Sequence, residues 1–491
     1  MKPIRLAERQ YRDRVHACWL GKNIGGTLGT PYEGRKEILD LDFYDPVPDE
    51  PLPNDDLDLQ LVWLRMVQQR GLSPSVSDFA DYWLKHLRPY PWSEYGRCLE
   101  NLERGLKPPI SGAFENCFID NMGSPIRSEI WACLCAGDPG LAASLAWRDS
   151  ALDHAGGEGT YGEMFWAALQ AAAFVISDPL TLIRIGLGMI PVHCQISRAI
   201  RYAVWCHQND IDWEEARERM ARAFLNYHPS FAPINHGFTI IGWLCGESFG
   251  DRLCAAVNCG WDTDCTGATL GATLGIIGGT GAIPECWREP VGEGIVLHRF
   301  TQDLDAPADV LQLTHETVDL GRRMLAERSE VAEIAAETAS PADPVETLSD
   351  CRLALQALEQ DPQSAIETVE GYEIALHYNG EPVMRPGISR TLEVSARRDG
   401  VPVECDATLI APGGWRVSDQ GVASGRRRFQ VVADEVGGRA EVTAAVRIDG
   451  RALEASYPML GPDEAPGFPC ATGVETCPEC TARAAACICP E

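Results

Sequence analysis

The chain has 491 residues, of which 45% are hydrophobic and 23% are charged, and its formal net charge is -29. This length is long for a single hydrophobic core, so we expect more than one domain. The negative charge disfavours binding to nucleic-acid backbones and to anionic membranes. No stretch is typical of a signal peptide or a membrane span, so we expect a cytoplasmic protein with neither a nucleic-acid nor a membrane partner.

Residues 1–335 are predicted to form a mainly helical domain. Segments such as LDLQLVWLRMVQQRG and EMFWAALQAAAFVIS repeat apolar residues at spacings of three and four, and short loops rich in Gly, Asp, Asn and Pro separate them. Twelve of the nineteen cysteines lie in this region, between Cys18 and Cys286. Their apolar surroundings indicate buried free thiols rather than disulfides.

The first motif, GKNIGGTLGTPYEG, spans residues 21–34 and matches neither the Walker pattern nor a strand-borne dinucleotide-binding loop. Gly21, Gly25 and Gly29 are four residues apart, and this spacing favours a helix face that packs closely against a neighbouring helix. Glu33 follows the point where this helix should end. By itself, the pattern favours an exposed glutamate in a loop.

An acidic cluster follows in PNDDLDLQLVWL, where Asn54, Asp55 and Asp56 precede a predicted helix. Asn and Asp are common helix caps, and acids are favoured in the first turn, so capping explains the cluster without a ligand. The alternative is a cation site, because adjacent carboxylates repel unless their pKa values rise or a cation binds. Oxygen ligands of this kind suit Mg²⁺ or Mn²⁺.

Two segments in the middle of the helical domain could contact a ligand. In DNMGSPIRSEIW, Gly123 and Ser124 offer a backbone donor and a hydroxyl donor of the kind that holds pyrophosphate at a helix start. In LDHAGGEGTYGEMF, His154 precedes the glycines Gly156 and Gly157 and then a predicted helix. A histidine in this setting either contacts a ligand or has a structural role, and the structural role is the commoner case.

A second acidic cluster, Asp262 and Asp264, opens the segment GWDTDCTGATLGATLGIIGG. Gly267, Gly271 and Gly275 then recur every fourth residue, which predicts a central buried helix with one bare face. Such a helix presents both carboxylates at its N-terminus. Two acidic clusters, each at a helix entrance, favour one shared cation site over two independent caps.

The composition changes after the helical domain. Residues 336–366 lose aromatics and gain acids, Ala and Pro, which predicts a linker with a short helix. Residues 367–460 alternate apolar and polar positions between turns such as RDG and IDG. This alternation predicts an antiparallel, immunoglobulin-like β-sandwich as an accessory domain.

Residues 461–491 form a cysteine-rich tail whose C-x₂-C and C-x-C spacings are compatible with a structural Zn²⁺ site. The four candidate ligands are Cys477, Cys480, Cys487 and Cys489. The alternative is a metal-free, redox-labile terminus, because the tail is short and has little apolar sequence to fold around an ion.

In their order along the chain, the five motifs of the helical domain resemble those of the ADP-ribosylglycohydrolase family, over most of residues 12–300. The resemblance implies a catalytic domain that is an orthogonal bundle of helices with two Mg²⁺ or Mn²⁺ ions between the acidic clusters. It also implies that Glu33, Asp55 and Asp56 act in catalysis. The implied metal ligands are Asn54, Asp55, Asp56, Asp262, Asp264 and Cys265. The implied substrate-binding residues are Gly123, Ser124, Arg127, His154, Gly156 and Gly157.

The activity implied by the resemblance is hydrolysis of the glycosidic bond at C1 of an ADP-ribosyl group, carried by a protein or a small molecule. Asn54 and Cys265 stand where the family pattern has threonines. An amide oxygen ligates Mg²⁺ well, whereas a thiol is a soft and poor partner for it. Another N- or O-riboside is therefore an alternative substrate, and a non-catalytic ADP-ribose binder is a further alternative. The sequence leaves the oligomeric state open.

Overall fold

The computed structural model of the protein describes residues 3–90, 93–340 and 343–464. The predicted zinc ligands of the tail, Cys477, Cys480, Cys487 and Cys489, lie outside these described residues. The cysteines within the described ranges are free, and most of those between Cys18 and Cys286 are buried, as predicted. Among the described residues, no helix combines the length and apolar character that crossing a membrane requires.

Helices account for most of the chain up to residue 328, and the two periodic segments quoted above form α2 and α8. The α-helices in chain order are α1 (Glu8–Gly29), α2 (Asp55–Arg70), α3 (Val76–His86), α4 (Ser93–Glu103), α5 (Ile110–Ala113), α6 (Ser128–Leu134), α7 (Pro139–Ser150), α8 (Glu158–Ala173), α9 (Pro179–Gly188), α10 (Gln195–Gln208), α11 (Trp213–Ala223), α12 (Ala232–Cys245), α13 (Phe249–Asn258), α14 (Thr263–Gly278), α15 (Glu285–Arg288), α16 (Val310–Arg328), α17 (Pro344–Leu348) and α18 (Arg352–Leu358). The prediction of a mainly helical N-terminal domain is confirmed.

Most of the strands follow the helices and form two antiparallel sheets. The strands are β1 (Ile4–Ala7), β2 (Ala332–Ala335), β3 (Ser364–Val369), β4 (Tyr372–His377), β5 (Arg390–Arg398), β6 (Val401–Val403), β7 (Asp406–Ile410), β8 (Trp415–Ala423), β9 (Arg426–Ala433), β10 (Arg439–Ile448) and β11 (Arg451–Leu460). One sheet has the order β3-β4-β5-β9-β8 with β6 beside β5, and the other has the order β11-β10-β7.

The two sheets share one hydrophobic core. Leu376, Val394 and Phe429 come from the larger sheet, and Val442 and Val446 come from the smaller one. Alternate residues of each strand point inward because successive side chains of a strand face opposite sides. The predicted β-sandwich is therefore confirmed.

The sequence analysis did not predict the parallel strands β1 and β2. The pair joins Ile4 to Ala332 and Ala7 to Ala335, so it ties the start of the chain to the segment after α16. Four residues are too few to show a strand period, and the pairing spans most of the helical domain, so no local signal predicts it.

The central feature of the helical domain is the contact between α1 and α14. A Cβ atom placed on Gly21 would collide with the carbonyl group of Gly271, and one placed on Gly25 would collide with that of Gly267. The two helix backbones therefore touch directly, as the glycine spacings predict. At the end of this contact, the Thr263 hydroxyl donates a hydrogen bond to the Gly29 carbonyl at 2.8 Å. The end of α1 is thus fixed against the start of α14.

The β-sandwich packs on the helical domain through α5 and the residues on either side of it. Leu106, Ile110 and Phe114 belong to the hydrophobic core of the sandwich rather than to that of the helices. The Ile366 backbone N–H donates to the Pro108 carbonyl at 2.9 Å. The sandwich and the helical domain therefore share apolar side chains and backbone hydrogen bonds.

We expect Gly25→Ala to lower the free energy of unfolding by about 1–3 kcal/mol, because the methyl group of the alanine must push two packed helices apart. The loss exceeds the helix propensity that alanine gains over glycine, which is about 1 kcal/mol. Chemical denaturation followed by circular dichroism measures this change.

Gly188→Ala is the matched control, since Gly188 ends α9 and a Cβ there meets nothing within 4 Å. That variant should be as stable as the parent or slightly more stable. Equal stability of Gly25→Ala and the parent would contradict the direct backbone contact of α1 and α14.

Candidate active site

Both predicted acidic clusters open onto one cavity of about 340 Å³. The cavity lies where the end of α1 and the starts of α2 and α14 meet. Glu33, Asp55, Asp262 and Asp264 line it, together with Cys265. The α1–α14 contact thus brings together carboxylates that are more than 200 residues apart in the sequence.

Helix capping does not explain the acidic clusters. Asn54 and Asp262 occupy the N-cap positions of α2 and α14, yet neither side chain accepts a hydrogen bond from its helix. Several buried polar atoms at this junction also have no hydrogen-bond partner. They are Asn54 Nδ2, both carboxylate oxygens of Asp56, Asp262 Oδ1 and Asp264 Oδ1. Buried oxygens without a partner are costly, and a bound cation would satisfy them.

Two overlapping groups of side chains have the spacing of metal ligands. Asp56, Asp264 and Cys265 each offer one ligand atom within 4.8 Å of the others. Glu33, Asp262 and Asp264 do the same. Asp264 belongs to both groups, so the donor set suits two adjacent cations that share one carboxylate. Its oxygen atoms fit Mg²⁺ or Mn²⁺, whereas the Cys265 sulfur favours a softer ion.

Burial and mutual repulsion keep these carboxylates from ionising together. Burial, opposed by the charge of Lys22 and reinforced by that of Asp55, raises the pKa of Asp56 to about 8. Desolvation in the crowded cavity and repulsion from Asp262 raise the pKa of Glu33 to about 8, although its side chain keeps contact with solvent. A divalent cation would reverse both effects, because it stabilises the ionised forms.

A buried lysine lies directly behind the acidic cluster. Lys22 is fully buried in α1, its ammonium is 3.1 Å from Glu129 Oε2, and it donates to the Ile126 carbonyl at 2.9 Å. Gln60 donates to the same Glu129 oxygen at 2.9 Å. The sequence analysis did not predict this role. The sequence feature that could have indicated it is a lysine within a glycine-rich helix that was predicted to pack closely.

The Gly123 loop forms a wall of the cavity, and two residues without any sequence signal hold it there. The Gly123 N–H donates to Glu94 Oε1 at 3.1 Å, and the Gly123 carbonyl accepts from the Tyr95 hydroxyl at 3.0 Å. Glu94 and Tyr95 also line the cavity. A side chain at Gly123 would collide with the Glu94 carboxylate, so any larger residue would displace Glu94 from the loop.

The other predicted substrate-binding side chains lie behind this wall. The Ser124 hydroxyl donates to Glu163 at 2.5 Å. The Arg127 guanidinium donates to both carboxylate oxygens of Asp153 at 2.8 and 2.9 Å and to the Gly123 carbonyl at 2.9 Å. All four of these side chains are buried, so Ser124 and Arg127 support the loop from within.

His154 belongs to the same buried network. Its Nδ1 is 2.9 Å from Asp153, and its Nε2 is 3.6 Å from Glu94. Despite burial, which lowers it, the charge of Asp153 raises the pKa of His154 to about 9. Gly156 has a φ of 79°, and Gly157 packs against the Ile119 backbone, so both shape the turn that enters α8.

A model of the ADP-ribosylglycohydrolase family matches residues 7–322 of the chain. The chain belongs to the ADP-ribosylglycohydrolase family. A solved structure described as an ADP-ribosylglycohydrolase-related protein complex is 20% identical in sequence, with a TM-score of 0.45, and the match covers 64% of this chain and 99% of that one. Among curated proteins, none matches the chain by sequence.

Membership of the ADP-ribosylglycohydrolase family supports a glycohydrolase activity, and the family is typically dependent on divalent metals. The matched region contains both acidic clusters, Glu33 and the Gly123 loop, and it ends before the β-sandwich. The chemistry of the family therefore belongs to the helical domain.

We expect Asp264→Asn to abolish stabilisation by divalent cations, because Asp264 belongs to both ligand groups. For the parent protein, cation at about 100 times its dissociation constant should add about 2.7 kcal/mol of stability. Without cation, the variant should melt at the parent temperature or higher, since one repelling carboxylate has been removed. Thermal melts with EDTA, Mg²⁺ and Mn²⁺ measure both effects.

Asp305→Asn is the control, because the Asp305 side chain is fully exposed and lies outside the cavity. It should keep the full cation-dependent shift. A shift of parental size in Asp264→Asn would show that the cation binds elsewhere.

Proposed function

We propose that the protein hydrolyses the glycosidic bond at C1 of an ADP-ribosyl group, using divalent cations bound between its two acidic clusters. The observation that carries this proposal is the pair of ligand groups that share Asp264 at the floor of a cavity, beside the exposed Glu33. The family membership supports the reaction type.

The donor set at the junction fits the cations. The proposed ligands are Asn54, Asp55, Asp56, Asp262, Asp264 and Cys265. When bound, a divalent cation polarises ribose hydroxyls and a water molecule and lowers the pKa of that water. Asp55 lines the cavity and is only half-buried, so its carboxylate can orient the water and accept its proton.

Glu33 suits the role of proton donor to the leaving group. It lies exposed at the cavity beside Asp262 and Asp264, where its carboxyl can reach a leaving group and donate a proton to it. The carboxylates around it would stabilise the positive charge that develops at the anomeric carbon. Glu33 follows a short 3₁₀ turn, Thr30–Tyr32, and its exposure leaves it free to move with the substrate.

The wall of the cavity would position the sugar. Met122 and Ile126 present apolar surface, and Tyr95 presents an aromatic ring. Together they exclude water from one side of the anomeric carbon. Gly123 carries no side chain, so Glu94 and Tyr95 can pack directly against the backbone of this wall.

Cys265 favours a second candidate, hydrolysis of a different N- or O-riboside. Its sulfur stands in a ligand group with Asp56 and Asp264, so the cation preference, and with it the substrate bound by the cation, can differ from the family pattern. A non-catalytic ADP-ribose binder is the third candidate, and Glu33 would then be dispensable.

A panel of ADP-ribosylated arginine, serine and small-molecule substrates, beside plain ribosides, tests these candidates with Mg²⁺ and with Mn²⁺. Release of ADP-ribose supports the proposal. Turnover confined to plain ribosides supports the second candidate, and binding of ADP-ribose without turnover of any substrate supports the third.

We expect Glu33→Gln to lower kcat by at least about 100-fold, because the amide cannot donate a proton to the leaving group. The melting temperature should stay within a degree or so of the parent, since the side chain is exposed. Steady-state kinetics on the active substrate measure the first effect, and a thermal melt measures the second.

Glu37→Gln is the control in the same loop, because Glu37 is exposed and pairs with Arg35 outside the cavity. It should keep parental kcat. Full activity of Glu33→Gln would remove Glu33 from the mechanism.

A further inference from the structure

A serine and a histidine on the larger sheet of the β-sandwich form a continuous hydrogen-bonded row with an aspartate in the loop before β3. Ser395 Oγ is 2.9 Å from His377 Nε2, and His377 Nδ1 is 3.0 Å from Asp361 Oδ2. His377 ends β4 and Ser395 lies on the neighbouring strand β5. Because Ala375 pairs with Ser395, the serine and the histidine are two residues apart on the same face.

The proton positions in this row follow from the chemistry of its ends. A carboxylate only accepts hydrogen bonds, so His377 Nδ1 carries a hydrogen that it donates to Asp361. His377 Nε2 is then an acceptor, and the Ser395 hydroxyl donates to it. Burial lowers the pKa of the imidazole, so His377 is neutral near pH 7 and can accept a proton. The row therefore contains a nucleophile, a general base hydrogen-bonded to it, and a residue that orients the base.

The row faces a cavity of about 280 Å³, which is separate from the cavity of the acidic clusters. Ile366, Ala375 and Pro402 give it apolar surface, and Arg397 and Arg426 also line it. Ser395 is half-buried, so its oxygen is within reach of a small molecule.

Both arginines that line the cavity lie close to acidic side chains. Arg426 lies 3.3 Å from Asp361 and 3.6 Å from Glu393, and Arg397 lies 3.6 Å from Glu359. No excess of positive charge among these residues therefore selects an anionic substrate. Arg397 and Arg426 nevertheless line the same cavity as Ser395, and a guanidinium group can stabilise the negative charge that a carbonyl oxygen develops during attack.

We propose that Ser395, His377 and Asp361 form a second, metal-independent hydrolytic site, which acts on small uncharged acyl esters. Ser395 Oγ forms a bond to the acyl carbon while its proton passes to His377 Nε2. The C–O bond of the ester then breaks, and the same proton goes to the departing alcohol. Water attacks the acyl-serine and gives one proton to His377, which returns it to Ser395 as the carboxylic acid leaves.

The three residues of the row have two kinds of role. His377 and Ser395 touch the reacting atoms and are catalytic residues. Asp361 acts through His377 and is a positioning residue, because it fixes the tautomer that leaves Nε2 free to accept.

A fluorophosphonate reagent tests the serine directly on the full chain in the presence of EDTA. We expect one covalent adduct, which peptide mass spectrometry assigns to Ser395. Ser395→Ala should form none, and His377→Gln should react at least about 100-fold more slowly. Ser418→Ala is the control, since Ser418 is exposed on β8 and its hydroxyl accepts a hydrogen bond from Gln420. It should react like the parent.

Hydrolysis of p-nitrophenyl acetate with EDTA gives the second readout. The parent should be active without metal, which separates this site from the proposed glycohydrolase, and Ser395→Ala should lose that activity while thermal melts show a folded protein. Asp361→Asn should react more slowly, with a changed pH profile for labelling, because the imidazole loses its fixed tautomer. Absence of an adduct on Ser395 in the folded parent, or unchanged ester hydrolysis in Ser395→Ala, would overturn the proposal and leave the row as a structural tie between strands.

Discussion

The rest of the site depends on the direct contact between the backbones of α1 and α14. Helices with ordinary side chains at the contact pack 8–10 Å apart, roughly. The glycine faces let these two approach more closely, and the Thr263–Gly29 hydrogen bond then fixes how they are aligned. With that alignment, Glu33 leaves the end of α1 beside Asp262 and Asp264 at the start of α14. A shift of one helical turn would separate them, so the glycines determine the chemistry without touching a ligand.

The same close packing creates an electrostatic problem that the helices cannot resolve by themselves. Asp56 and Asp262 are buried with oxygens that no hydrogen bond satisfies, and Lys22 is the buried cation behind them, already paired with Glu129. One ammonium group cannot neutralise that many carboxylates. A protein can keep such a cluster only by holding protons on it or by binding cations, and exposed Glu33 sits where either event can be coupled to a substrate.

Features encoded within one stretch of sequence could be predicted, and features created between stretches could not. The spacing of Gly21 and Gly25 along one helix predicts close packing against another helix, although it does not show which helix that is. Nothing near Glu94 shows that its carboxylate will hold the Gly123 backbone, because that bond crosses the fold. Arg127 lies in a recognisable loop motif, yet only the tertiary structure shows that its guanidinium points away from the cavity and towards Asp153. The sequence therefore indicates which residue types belong to the site, but not where their side chains point.

The β-sandwich influences the cavity without lining it. The first turn of α4 contains Glu94 and Tyr95, which hold the Gly123 loop. The chain beyond the other end of α4 inserts Leu106 and Phe114 into the sandwich core. Asn101, near the end of α4, donates to the carbonyl of Phe114 at 2.7 Å, so helix and anchor are joined. A short helix fixed at one end by a large apolar core presents its other end rigidly. The sandwich core therefore anchors the chain beyond one end of α4, while the other end of α4 holds one wall of the cavity.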